Sequence, residues 1–293
     1  MSAHFSGSMA ALITPFQDGA IDREALANLV ERQITSGTTA LVPCGSTGES
    51  ATLTHAEHAE VVKLVVAQAR GRVPVIAGTG SNSTAEALSL TRAAKEAGAD
   101  AALLISPYYN KPTQEGIYEH YKHIAQAARL PLIVYNIPGR TASKIEATTI
   151  ARLAELDEIV GLKEATGSLD EAQEVIRLCG DRIEVYSGDD ALTLPLMAVG
   201  AVGVISVIAN VLPKESAAIA SAARQGNWDD ARRRHYALLP LMRALFLETN
   251  PIPVKAALAM MGLCRDELRL PLLPMTAARR ETLRAALQQA GTI

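Results

Sequence analysis

The 293-residue sequence predicts an α/β architecture: a (β/α)8 barrel over residues 1–225 and a small C-terminal helical domain over residues 226–293. Three observations carry that prediction. Eight short apolar runs recur along the chain, segments with helical period separate them, and strand-like runs stop after Gly226. The length suits one α/β barrel with a large core.

The runs, in order, are "AALIT", "ALVPC", "VPVIAG", "AALLIS", "PLIVYN", "IVGLK", "IEVYSG" and "AVGVIS". Each is continuously apolar rather than alternating, as a parallel strand covered on both faces should be. Parallel neighbours need crossover helices, and helical stripes lie between the runs. Val62, Val65, Val66 and Ala69 follow the i, i+3, i+4, i+7 pattern, as do Ala87, Leu90, Ala94 and Ala97 approximately. Thr54 with Glu57, and Ser83 with Glu86, have capping-box spacing at two helix starts. Gly37, Gly71 and Gly98 follow helical segments, where a left-handed residue closes a helix. A doubly wound open sheet is the competing arrangement, but no Gly-x-Gly-x-x-Gly follows the first strand. Ala191 to Pro213 is uncharged over a length that could span a bilayer. Pro195, Gly200, Gly203, Ser206 and Asn210 interrupt it, so a buried helix plus strand is expected. "WDDARRRHYALLPLMRALFLE", "NPIPVKAALAMMG" and "MTAARRETLRAALQQA" supply the closing helices.

A net charge of −3 points to neither a nucleic-acid backbone nor an anionic membrane as partner. Cys44, Cys179 and Cys264 are dispersed, odd in number and lack Cys-x-x-Cys spacing, which fits reduced thiols. Cys44 reads as a packed thiol rather than a nucleophile. "MSAHFSGSMAALITPF" lacks a basic start and a continuous apolar stretch, so a cytoplasmic location is expected. "HAEHAE", with His55 and His58, is not zincin spacing, and no metal centre is expected. "GTGSNST" follows the third strand, not the strands that usually carry a barrel's phosphate site.

Chemistry in such barrels sits on the loops at the C-terminal strand ends. Strand 2 ends in "PCGSTGES", strand 4 in "SPYYNKP", strand 5 in "YNIPGRT", strand 7 in "SGDD" and strand 8 in "GVISV". Strand 6, in "IVGLKEATGS", ends in Lys163. At its ordinary pKa of ~10.4, only about one lysine in a few thousand is neutral at pH 7. Burial behind an apolar strand penalises the charged form and makes a Schiff-base nucleophile. A rim ion pair with Glu164 is the plainer alternative. Tyr108, Tyr109 and Tyr135 stand on the same rim, and imine chemistry needs groups that relay protons. Backbone N–H groups of the "GSTGE" loop can cradle a small carboxylate, and Arg140 can hold a second.

In this order, "GSTGES", "SPYYNKP", "YNIPGRT", "GLKEA" and "SGDD" resemble the dihydrodipicolinate synthase and N-acetylneuraminate lyase family of pyruvate-dependent class I aldolases and lyases. The resemblance runs from "ALITPF" to "NPIPVKAAL" and implies a TIM barrel with no cofactor. It implies that Lys163 forms the imine with pyruvate and that Tyr135 relays protons through Thr47 to Tyr109 of a neighbouring subunit. Ser46 and Thr47 would grip the pyruvate carboxylate, with Gly188 and Ile205 lining the pocket. Arg140 would bind the carboxylate of L-aspartate 4-semialdehyde, and it favours the synthase branch over the lyases. Ser46 and Ala142 depart from the synthase pattern, which usually has Thr and Gly there. Ser50, Ala51, His55, His58, Asn82, Glu86 and Tyr108 match a feedback site for L-lysine. The family's usual assembly is a homotetramer. The alternatives are a sugar-derived keto-acid aldolase, such as a lyase for N-acetylneuraminate, and a non-catalytic keto-acid-binding barrel.

Overall fold

The computed structural model describes residues 4–293. Eight parallel strands form one sheet: β1 (Gly7–Ala11), β2 (Ala40–Val42), β3 (Ile76–Gly78), β4 (Ala101–Ile105), β5 (Leu132–Asn136), β6 (Ile159–Glu164), β7 (Glu184–Ser187) and β8 (Gly203–Ser206). Their order is β2-β1-β8-β7-β6-β5-β4-β3, and a parallel bridge between Leu41 and Val75 closes the ring. A main helix follows each strand, with a short helical turn at Pro138–Thr141 before the fifth helix: α1 (Arg23–Thr35), α2 (His55–Ala69), α3 (Thr84–Glu96), α4 (Gln114–Ala128), α5 (Ala147–Leu153), α6 (Leu169–Cys179), α7 (Thr193–Ala198) and α8 (Pro213–Arg224). This is a TIM barrel. Three further helices, α9 (Trp228–Ala244), α10 (Ile252–Met260) and α11 (Ala277–Gln289), complete the chain.

Strand pleating sorts the core into an inside and an outside. Met9, Val42, Ile76, Leu103, Ile133, Tyr135, Tyr186 and Ile205 pack together within the barrel. Their neighbours Leu104, Leu132, Val134 and Leu162 pack outward under the helices. β6 breaks the alternation. Leu132 pairs with Ile159 but Ile133 pairs with Gly161, so Val160 is an extra residue in the ladder. Such a bulge re-aims every side chain beyond it. Val160 belongs to the inner cluster, and an unbroken strand would therefore send Leu162 inward and Lys163 outward. With the bulge, Leu162 joins the outer layer and Lys163 points into the barrel.

The expected elements are present with local shifts. The first strand begins at Gly7 rather than at "AALIT", because Ser8 is satisfied inside the core by Ser216 Oγ at 2.7 Å. The buried stripe of α2 uses Val61, Val62, Val65 and Ala69, leaving Val66 half-buried. Thr54 and Glu57 form a complete capping box. Ser83 caps α3, but the Glu86 side chain turns away to other partners. Gly37, Gly71 and Gly98 all have positive φ. The uncharged stretch from Ala191 resolves into α7, β8 and the start of α8, and among the described residues no helix is long and apolar enough to cross a membrane. The last three helices are not a separate ball. Leu241, Val254, Leu258 and Leu283 share a core with Leu29, Val207, Ile208 and Val211 of the barrel.

Candidate active site

The inward turn of β6 delivers Lys163 to the floor of the barrel mouth, where the residue is only 6% exposed. Its Nζ lies 4.2 Å from the centre of the Tyr135 ring, on the paired residue of β5. Burial draws the Lys163 pKa down to about 7; the Asp190 carboxylate opposes that shift and the Arg140 guanidinium adds to it. Burial also raises the Tyr135 phenol, keeping it protonated. Glu164 does not pair with Lys163. Its Oε1 accepts the Thr166 N–H at 2.6 Å instead. Gly188 is needed for room: a Cβ there would sit 3.1 Å from Lys163 Cε and 2.7 Å from Ala165 Cβ. Ile205 packs in the inner cluster with Tyr135.

Asp190, from the "SGDD" motif, is a participant whose role the motif alone did not disclose. Its Oδ2 accepts the N–H groups of Val207 at 3.0 Å and Ile208 at 2.8 Å, fixing the turn after β8. Burial pushes its carboxyl above the ordinary range, partly offset by the Ser206 hydroxyl and then by those two amides.

The loop after β2 is shaped by two non-glycine residues in left-handed conformation, Cys44 at φ 56° and Glu49 at φ 53°. It runs close under β3, where a Cβ on Gly78 would lie 2.3 Å from the Cys44 carbonyl oxygen. Gly48 N–H donates to Gly45 and Glu49 N–H to Ser46, at 3.0 and 3.2 Å. The amides of Ser46 and Thr47 have no partner among the described residues, as an anion cradle requires. Cys44 is buried and burial pushes its thiol well up, which makes it a packing residue.

Glu49 Oε1 meets Lys255 Nζ at 2.5 Å, and both side chains are sealed from solvent. The same ammonium donates to the Glu267 carbonyl at 2.8 Å and sits 4.0 Å over the Phe16 ring. Asn250 reaches the loop as well: its Nδ2 donates to Thr47 Oγ1 at 2.9 Å. Its main-chain oxygen accepts from Arg140 Nη2 at 3.0 Å. Arg140 itself rides on a loop tied down by Asn136, whose amide bonds Ile145 in both directions. Ala142 closes that loop's helical turn at φ 53°, the conformation for which glycine is the usual choice. Asn250 and Lys255 lie in or beside the recognisable "NPIPVKAAL", yet nothing local to that segment says which loop it touches.

A cavity of about 430 Å³ reaches the Tyr135 ring, while Lys163, Thr47, Gly188 and Ile205 lie behind its lining. Ser46, Tyr135, Arg140 and Asn250 line one part, and Ser50, Ala51, His55, His58, Glu86 and Tyr108 line the other. His55 Nε2 and Glu86 Oε1 are 2.8 Å apart, and Ser81 Oγ also donates to Glu86. His58 is buried; its Nε2 bonds the Gly78 carbonyl at 2.7 Å, and burial lowers its pKa. Asn82 is not on that wall, and its carbonyl accepts from Asn110 Nδ2. Tyr109 is 87% exposed with φ 70°, so its ring projects from the outer surface of its own chain.

With this geometry in place, residues 4–290 match the dihydrodipicolinate synthetase family. The chain belongs to that family. The 4-hydroxy-tetrahydrodipicolinate synthase of Pelobacter propionicus is 55% identical, the match covering 99% of this chain and 100% of the relative. Among solved structures, the chloride-inhibited dihydrodipicolinate synthase of Acinetobacter baumannii complexed with pyruvate is 48% identical, with a TM-score of 0.97 over 99% of this chain and 100% of that one. The DHDPS of Cyanidioschyzon merolae with lysine bound is 41% identical, with a TM-score of 0.96 and 99% of both chains covered. Membership makes this chain an enzyme, a lyase on the dihydrodipicolinate synthetase scaffold.

Proposed function

We propose that this chain is a cytoplasmic 4-hydroxy-tetrahydrodipicolinate synthase that condenses pyruvate with L-aspartate 4-semialdehyde. One observation carries the reading: a lysine held out of water against a tyrosine ring, with its pKa drawn to about 7. The neutral Lys163 amine attacks C2 of pyruvate, and loss of water leaves an imine. A methyl proton then leaves, giving an enamine whose carbon bonds to the aldehyde carbon. The substrate's own amine next attacks C2, closing the ring and releasing Lys163. Tyr135 carries protons in and out through Thr47, and Tyr109 of a second copy completes the relay. Ser46 and Thr47 hold the pyruvate carboxylate through their unpaired amides, while Arg140 holds that of the aldehyde. Gly188 and Ile205 shape the space around the bound keto acid. The outward ring of Tyr109 supports an assembly in which subunits complete each other's sites, and we place it as a homotetramer.

Reduction of the pyruvate adduct by borohydride, followed by mass spectrometry, should label Lys163. Product should then form from pyruvate and L-aspartate 4-semialdehyde. Label elsewhere, no label, or preference for N-acetylmannosamine would overturn the reading. L-Lysine is the proposed inhibitor, bound by Ser50, Ala51, His55, His58, Asn82, Glu86 and Tyr108. The lysine-bound relative supports this assignment. Turnover should fall with lysine at millimolar levels; an unchanged rate would reject the site.

A further inference from the structure

Thr47 and Arg140 come from loops far apart in the chain, and one residue touches both. Asn250 is 6% exposed and lies 203 residues beyond Thr47. Its side chain donates to Thr47 Oγ1 at 2.9 Å, while its main-chain oxygen takes Arg140 Nη2 at 3.0 Å. A hydroxyl has one proton and two acceptor sites. Once Thr47 accepts from Asn250, it keeps one acceptor site and its own proton. A relay group needs both, since it must receive a proton on one side as it gives one on the other.

We propose that Asn250 is a positioning residue with two separable roles. Its amide fixes the direction in which Thr47 donates, and its carbonyl fixes Arg140. The inference rests on the synthase reading of Lys163, Tyr135 and Thr47. It also makes a division that ordinary packing would not make: changing the side chain removes the first contact and leaves the second. Proton transfer should suffer while aldehyde binding is spared.

The test compares the full-length chain with Asn250→Ala and the isosteric Asn250→Asp. Pyruvate alone in D2O reports enamine formation as exchange of its methyl protons, read by NMR. Both variants should still give the reduced Lys163 adduct, which also shows that they fold. Exchange and kcat should both fall about tenfold or more, within the range of a lost acid–base contribution. The KM for L-aspartate 4-semialdehyde should stay within about threefold, since the Arg140 contact survives. Wild-type exchange in Asn250→Ala, or a raised KM with kcat preserved, would overturn the proposal. Wild-type exchange in Asn250→Asp would overturn it too, because Thr47 would then be donating into the amide rather than accepting from it. Absence of any adduct in the wild-type chain would instead refute the Lys163 reading, and this inference with it.

Discussion

Burial of Lys163 has a measurable consequence in the pH dependence of imine formation. With its pKa drawn to about 7, half of the amines are neutral at that pH, against about one in a few thousand at the ordinary ~10.4. Burial thus raises the reactive population about a thousandfold. Below about pH 7 the amine is protonated, so the trapping rate should climb with pH and level off above about pH 8. Cyanoborohydride trapping at fixed pyruvate, with the adduct counted by mass spectrometry, gives the profile. Arg140→Gln should move the midpoint upward, since the guanidinium helps to lower it. Stability has a matching sign. The folded pKa lies below the unfolded one, so the unfolded chain holds more protons between about pH 7 and about pH 10.4, and this group favours folding increasingly as pH rises through that window. A rate still rising about tenfold per pH unit through pH ~9 would show an ordinary solvated lysine and refute the reasoning.

Tyr135→Phe should leave the melting temperature near its wild-type value and slow turnover about a hundredfold or more, measured in a steady-state assay. Lys255→Met strands the sealed Glu49 carboxylate, a change that costs about 3–5 kcal/mol in buried pairs. Calorimetry should show the melting temperature dropping by about 5–10 °C, at roughly 2 °C per kcal/mol for a chain this long. Adding Glu49→Gln should recover most of that loss, and an unshifted single variant would show that the pair contributes nothing. Ala142→Gly should raise the melting temperature slightly, because glycine takes φ 53° without the strain alanine bears. A fall would mean that the alanine methyl is needed for packing.

The barrel was legible because strands buried on both faces must be written in Val, Leu, Ile and Ala, and the intervening helices in a 3.6-residue period. Where the reading slipped, a local rule met a distant partner. The first strand opens before the "AALIT" run because Ser216 satisfies Ser8 inside the core. Glu86 had the spacing of a capping box, but His55 and Ser81 hold its carboxylate instead. Lys163 stood out as the single charge in an apolar run, yet its inward aim comes from the Val160 bulge, which no period in the sequence announces. Asn250, Lys255 and Asp190 were opaque for the same reason. Each acts through a contact that exists only after the chain has closed on itself.

That closure sets an order on synthesis. Chains emerge amino end first and begin folding as they appear. Lys163, Tyr135 and the "GSTGE" loop are therefore synthesised well before Asn250 and Lys255 leave the ribosome. Until those two arrive, Glu49 lacks its counter-ion and Thr47 lacks its donor. A nascent barrel already carrying its nucleophile thus still lacks the contacts that hold Thr47, Arg140 and Glu49, and a product ending before residue 250 never gains them.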